Sequence, residues 1–396
     1  MTPQRPERVP RPVLALGAVS LLNDTSSEMV YALLPLFLRS LGAPLAFIGL
    51  VEGVAETTAS LLKLFSGWLA DRLGQHWRLA LLGYGLAALM RPLLALATMP
   101  IQVLALRFAD RVGKGVRTAP RDALIAAVTS PAGRGLAFGF HRAMDNLGAA
   151  IGPALATLIL LFAPENYRLV FLLAAIPALV SLIVFVRGVP RMELPRSEVA
   201  RHPLSGTRGL LRGWFGGYLL CMLLFTLGNS SDAFLLMRAQ DVGTPVALIP
   251  LLWMGLNLLR SVCGVYGGWL ADRYGRLRVL QAGWLCYALV YAGFGYASAL
   301  WQVAALFGLY AMFYALTEGA ERALVADFAP PAQHGQAYGL FHFVVGIAAL
   351  PASLLFGWLW QAYSVQVAFL TGAGLAVAAA LLLSALSASP NTPRHP

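Results

Sequence analysis

Seven charged side chains fall between positions 107 and 122 of an otherwise apolar stretch: Arg107, Asp110, Arg111, Lys114, Arg117, Arg121 and Asp122. Arg107, Arg111, Lys114 and Arg121 follow steps of four, three and seven, which stack them on one face of a helix as a basic stripe. Other groups share the helical step. Asp24 and Glu28, beside Asn23, are four apart, as are Glu52 and Glu56, ahead of Lys63, and His141 and Asp145, near Arg142 and Asn146. The second half of the chain is poorer, with Asp232, Arg260, Glu318, Glu321, Arg322 and Asp327. A carboxylate out of water is pulled two ways: desolvation favours the proton and a neighbouring arginine favours the charge. Such groups can bind a charged solute and pass a proton, or they can form fixed ion-pair networks. Glu28 and Asp24 are the best proton carriers, with Arg107 and Arg111 beside them and Arg111 as switching partner; Asp145 and His141 come next. Arg117 to Asp122 lie near an end of their segment, where they serve as fixed pairs or gate. The cysteines Cys221, Cys263 and Cys286 sit in apolar stretches with no paired spacing, so no disulfide, metal site or cofactor is expected.

The elements that must carry these charges are membrane helices. Of 396 residues, 58% are hydrophobic and 12% charged, against roughly 25% charged in soluble domains. A bilayer-spanning helix needs about 20 mostly apolar residues. Segments of that kind recur at 13–38, 45–69, 79–98, 101–127, 136–162, 168–187, 214–237, 246–270, 279–298, 301–328, 336–360 and 365–388. The fold class predicted is therefore all-α and integral to the membrane, with 12 transmembrane helices.

A net charge of +11 would suggest nucleic acid in a soluble protein. Here the positions of the charges explain it. If the N-terminus is cytoplasmic, sixteen arginines from Arg5 to Arg394 lie in cytoplasmic tails and loops, and only Arg39, Arg168 and Arg238 lie opposite. Positive loops stay inside, so both termini are placed in the cytoplasm and no nucleic-acid partner is expected. No cleavable signal precedes the first helix, only a Pro/Arg-rich tail. The polar stretch 188–213, rich in arginine and proline, reads as a cytoplasmic linker. It parts a six-helix bundle at 13–187 from a second at 214–388, with tails at 1–12 and 389–396.

The two bundles repeat each other at an offset of about 200 residues. GWLADRLG at 67–74 returns as GWLADRYG at 268–275, and RDALIAAVTSPAGRGLAFG at 121–139 returns as ERALVADFAPPAQHGQAYG at 321–339. Six is even, so both copies have the same orientation. Parallel repeats are one plan of transporter folds, with the solute site near the midplane.

Across nearly its whole length the chain resembles the major facilitator superfamily. The tie is the loop after the second helix, with Gly67, Asp71, Arg72, Gly74 and Arg78, repeated as Gly268, Asp272, Arg273, Gly275 and Arg278; Gln75 and His76 depart from the family's usual basic pair. The resemblance implies a cytoplasmic gate there. The glycines permit close helix approach, and the aspartates pair with arginine or cap a helix. A topogenic loop is the blander alternative. Gly139, Gly148, Gly152 and Pro153 match the spacing of a motif associated with proton-exchanging exporters, although Ala156 and Thr157 replace its final glycine pair. Packing alone explains Gly148 and Gly152 nearly as well. In the family resembled, helices 1, 4, 7 and 10 line a central cavity. The acidic pair of helix 1 and the basic stripe of helix 4 would meet on its wall. Trp253, Asn257, Tyr310, Phe313, Tyr314 and Phe341 would suit an apolar or aromatic part of the solute.

The resemblance implies a secondary active transporter exporting a small drug-like or metabolite solute in exchange for protons by alternating access. A bacterial cytoplasmic membrane and a monomer are expected, with solute, protons and lipid as partners. The alternatives are an organic-anion carrier, drawn by the helix 4 arginines, and more remotely a membrane receptor. An enzyme reading finds no phosphate-cradling glycine loop and no metal-spaced cluster.

Overall fold

A chain in lipid must satisfy its backbone polar groups internally, and a helix does so within one segment. The computed structural model describes residues 9–130, 133–192, 210–211, 213–328 and 334–387, and every regular element among them is helical. Residues 1–8 of the expected N-terminal tail, the tail 389–396 and most of the linker 188–213 lie outside the described residues. Twelve rods follow in order: α1 (Arg11–Tyr31, continuing as Leu34–Ser40), α2 (Leu45–Leu73), α3 (His76–Leu93), α4 (Pro100–Ala127), α5 (Arg134–Phe162), α6 (Tyr167–Leu173 and Ala175–Gly188), α7 (Trp214–Gly228 and Ala233–Asp241), α8 (Ile249–Tyr274), α9 (Arg276–Tyr296), α10 (Leu300–Phe328), α11 (His334–Ala362) and α12 (Val365–Ser387). Ten are long and apolar enough to cross a membrane by composition alone. The other two, α1 and α4, are those that carry the polar run Asn23–Glu28 and the basic stripe.

The breaks have local causes. Pro35 has no N–H to donate to Tyr31, and α1 bends just before it; Pro177 does the same for α6. In α7 the run Asn229–Ser231 brings side chains that compete for backbone partners.

The rods form two compact units, Met1–Leu33 with Leu62–Arg201, and Leu34–Leu61 with His202–Pro396. In the first, α1 packs on α5 and α6, and α3 on α4. Its core gathers Val13, Leu16, Trp77, Tyr84, Leu124 and Phe185. In the second, α8 packs on α10, and α9 on α10 and α12. Its core is aromatic: Trp284 stacks on Phe225 at 4.8 Å and Tyr287 on Tyr291 at 4.0 Å. The residues 34–61 belong to this unit through contacts such as Thr57 Oγ1 to Gly346 O at 2.6 Å. Leu82, Phe162, Leu289 and Trp301 are each at least 66% exposed, an exterior that suits lipid and not water.

The sequence repeat is also a packing repeat. A Cβ on Gly83 would meet Arg117 Cβ at 2.6 Å, and one on Gly283 would meet Thr317 Cγ2 at 2.5 Å. The same pair of helices crosses at the same depth in each unit.

Candidate functional site

A close helix crossing beside Asp24 and Glu28 joins α1 to α5. A Cβ on Gly148 would sit 2.5 Å from Leu21 O and 3.1 Å from Asp24 Cβ; one on Gly152 would sit 2.5 Å from Thr25 O and 2.9 Å from Glu28 Cβ. The two glycines are therefore the surface against which the turns bearing Asp24 and Glu28 lie. One turn earlier on α5, Asp145 accepts a hydrogen bond from Ser20 Oγ, and His141 Nδ1 lies 3.6 Å from its other oxygen. Asn23 Nδ2 donates to Asp24 Oδ1 at 2.9 Å. Asp24, Glu28, His141 and Asp145 thus line one seam.

A second cluster joins α3 and α4. Arg91 is buried, donating from Nε to Asp110 Oδ1 at 3.1 Å and from Nη1 to Asn23 O at 2.8 Å. Asp110 Oδ2 faces Arg111 Nε at 3.2 Å, in ion-pair but not hydrogen-bond alignment, and Arg107 Nη1 at 3.8 Å. Arg107 also covers the Tyr31 ring and Arg117 the Tyr84 ring, at 5.4 and 4.7 Å. One carboxylate thus stands among three guanidiniums. Arg111, expected as the switching partner of the helix 1 acids, pairs with Asp110 on its own helix. Two contacts link α1 to this cluster: the Asn23 carbonyl through Arg91 and the Tyr31 ring beneath Arg107. Lower on α4, Arg121 pairs with Asp122 at 2.8 Å.

The second unit holds its own charged set. Asp232 accepts from Tyr310 OH at 2.7 Å and Tyr314 OH at 2.8 Å, and Arg260 pairs with Glu318 while lying 4.0 Å over the Tyr314 ring. Trp253, Tyr310, Phe313 and Phe341 are buried in the core, and of the expected lining Asn257 and Tyr314 are partly open.

The repeated Asp-Arg loops close α2 and α8 alike. Gly74 and Gly275 take φ of +70° and +92°, which lets the chain turn directly into the next helix. Arg72 lies over Trp68 at 5.5 Å and Arg273 over Trp269 at 5.1 Å. Asp272 lies 3.8 Å from Arg276, which also pairs with Asp327. Arg78 and Arg278 lie in the first turns of α3 and α9; the Asp71 side chain lies outside what is described. Gly67 packs snugly, a Cβ there falling 3.2 Å from Ala119 Cβ. Gly268 differs from Gly67 in its surroundings. A Cβ on it would meet open space, and the close approach falls on Gly267, against the Ala315 carbonyl.

The sequence profile of the Major Facilitator Superfamily matches residues 16–259 and 218–396. The chain belongs to this superfamily. It is 34% identical over 379 residues to an uncharacterised MFS-type transporter of Methanocaldococcus jannaschii, covering 94% of each chain. It is 26% identical to the fosmidomycin resistance protein of Escherichia coli, covering 86% of this chain and 85% of that one. A solved nucleoside transporter superposes with a TM-score of 0.81 at 14% identity, over 94% of this chain and 99% of the other, a likeness of fold. As a member of the superfamily the chain is a multi-pass membrane transporter, not a member of an enzyme family.

Among the superfamily transporter's functional candidates, sequence reasoning missed Arg91 and the central place of Asp110. Arg91 is a lone cation in the run AALMRPLLA. A charge there is costly unless paired, which is the signal that could have found it. Among the described residues no group of three His, Cys, Asp or Glu is placed to hold a metal.

Proposed function

We propose that the protein is a secondary active transporter that exports a small drug-like or metabolite solute in exchange for protons, by alternating access. The carrying observation is the α1–α5 seam, where Gly148 and Gly152 receive the turns of Asp24 and Glu28 and where Asp145 faces His141 and Ser20. Carboxylates set on a helix crossing make the energy of that crossing depend on their protonation, which is what coupling requires. The names of two relatives agree with export: the fosmidomycin resistance protein and a multidrug resistance protein of Photorhabdus laumondii, 26% identical. The protein would work as a monomer in a bacterial cytoplasmic membrane, with both termini inside and a cytoplasmic linker at 188–213. In proteoliposomes with an imposed pH gradient, a screen of drug-like solutes starting with fosmidomycin should find one whose accumulation collapses on adding a protonophore. Accumulation indifferent to the protonophore would sink proton coupling.

A second reading, an organic-anion carrier, rests on Arg91, Arg107 and Arg111 around the single Asp110. The net charge of the solute found in the same screen separates the two.

The repeated loops are the proposed cytoplasmic gate, comprising Gly67, Asp71, Arg72, Gly74 and Arg78 with Gly268, Asp272, Arg273, Gly275 and Arg278. Leu73 is exposed within the first loop, so Leu73→Cys on a background lacking the native cysteines is a reporter. A membrane-impermeant maleimide should label it in inside-out vesicles and not in intact cells. Adding Asp71→Asn should raise the labelling rate by weakening closure. Labelling from outside would overturn the orientation, and an unchanged rate would remove Asp71 from the gate.

A further inference from the structure

Helix α7 is interrupted between Gly228 and Ala233, within a segment apolar enough to cross the membrane. A break in lipid strands backbone carbonyls that the surroundings cannot satisfy. Two tyrosines of α9 answer that need: Tyr287 OH donates to Gly228 O at 2.9 Å and Tyr291 OH to Ser230 O at 3.5 Å, with Ser230 Oγ also 3.1 Å from Tyr291 OH. The two tyrosines of α10 do something different. Tyr310 and Tyr314 donate to the two oxygens of the Asp232 carboxylate, which is not a leftover of the break. Asp232 stands at the N-cap of Ala233–Asp241, where aspartate usually accepts a backbone N–H, yet its side chain makes no such bond. Capping does not account for it. A charge at this depth costs about 2.5–3.5 kcal/mol on insertion scales, and a neutral asparagine would tie α7 to α10 without that cost. The feature left unexplained is the ability to ionise.

We propose that Asp232 is a proton-binding site of the second unit, whose occupancy resets the hydrogen bonds that tie the break in α7 to α10. In the ionised state each carboxylate oxygen accepts one hydrogen bond from a phenol O–H. When a proton arrives from water, one oxygen becomes a hydroxyl and must donate. The tyrosine facing it then turns to accept that hydrogen or gives up the bond. One O–H bond forms on the carboxyl group as one breaks in the hydronium that delivers the proton, and the tyrosines keep their own O–H bonds. The break supplies the hinge on which the altered tie acts, since unwound segments absorb backbone rotation. The charged groups around the site are Arg260 of α8, Glu318 of α10 and Glu56 of α2; α9 presents the phenols of Tyr287 and Tyr291. This site belongs to the second unit and the α1–α5 acids to the first, and it stands or falls independently of solute or direction.

The test needs only protons as ligand. Infrared difference spectra of the purified full-length protein between about pH 8 and about pH 5 should contain a protonated-carboxyl band together with a tyrosine C–O change. Asp232→Asn should lose one component of the carboxyl band, the rest belonging to the other carboxylates, together with the tyrosine change, and proton uptake over that interval should fall by about one per molecule. Tyr310→Phe and Tyr314→Phe should keep the carboxyl band, shift it and diminish the tyrosine signal. Superimposable spectra for wild type and Asp232→Asn would overturn the proposal. If Asp232→Asn does not fold, tyrosine-to-phenylalanine spectra matching wild type would overturn it instead. A wild type that binds this proton yet transports without a pH gradient would refute the export reading and leave this site standing.

Discussion

Gly267→Ala should leave little folded protein, while Gly268→Ala, one residue along, should fold as the parent does. At Gly267 a Cβ falls inside the van der Waals envelope of the Ala315 carbonyl oxygen, with Ala315 C 2.5 Å away. A backbone carbonyl cannot rotate aside as a side chain can, so α8 and α10 must move apart along their shared face. Overpacking a tight site costs about 1–3 kcal/mol and sometimes more, and a backbone obstacle places this change at or above about 3 kcal/mol. That is a large part of the roughly 5–15 kcal/mol that holds a typical domain. At Gly268 the same methyl meets open space, and replacing a helical glycine there gains up to about 1 kcal/mol. Size-exclusion profiles and melting temperatures in detergent read both. Similar behaviour of the two variants would contradict the crossing described.

These adjacent glycines also mark what the sequence can and cannot reveal. The helix count, the repeat and the turns at Gly74 and Gly275 were legible because each leaves a pattern: long apolar runs, an offset of about 200 residues, a glycine at a sharp exit. The contact partner of a glycine leaves none. The motif pointed to Gly268, yet contact depends on the rotation of α8 against α10, and one residue of helix is a turn of about 100°. The helix 1 and helix 4 charges were visible as one-turn spacings, but their pairing was not. Arg107 and Arg111 share Asp110 with Arg91, which arrives from α3, and that neighbour is set by packing. Asp232, Tyr310 and Tyr314 were visible as residues, while the break that brings them together has no proline to announce it.

The second large effect concerns Glu28. Its Cβ lies against Gly152, and glutamine keeps that Cβ, the side-chain length and most of the hydrogen bonding. Glu28→Gln therefore spares the packing and removes only the ability to release a proton. A permanently neutral side chain cannot follow the pH on either side, so accumulation driven by a pH gradient should be abolished. Binding and rocking remain, so exchange of the solute down its own gradient should persist near the wild-type rate. Asp145→Asn serves as the comparison on α5, where Ser20 and His141 hold the carboxylate.

The most direct measurement is Glu28→Gln in proteoliposomes, assayed in both modes with the solute found by the screen. The account predicts exchange retained and gradient-driven accumulation lost. Full accumulation under the pH gradient would contradict it and remove Glu28 from coupling; loss of exchange together with binding would contradict it differently, assigning Glu28 to the solute site or to the α1–α5 crossing itself.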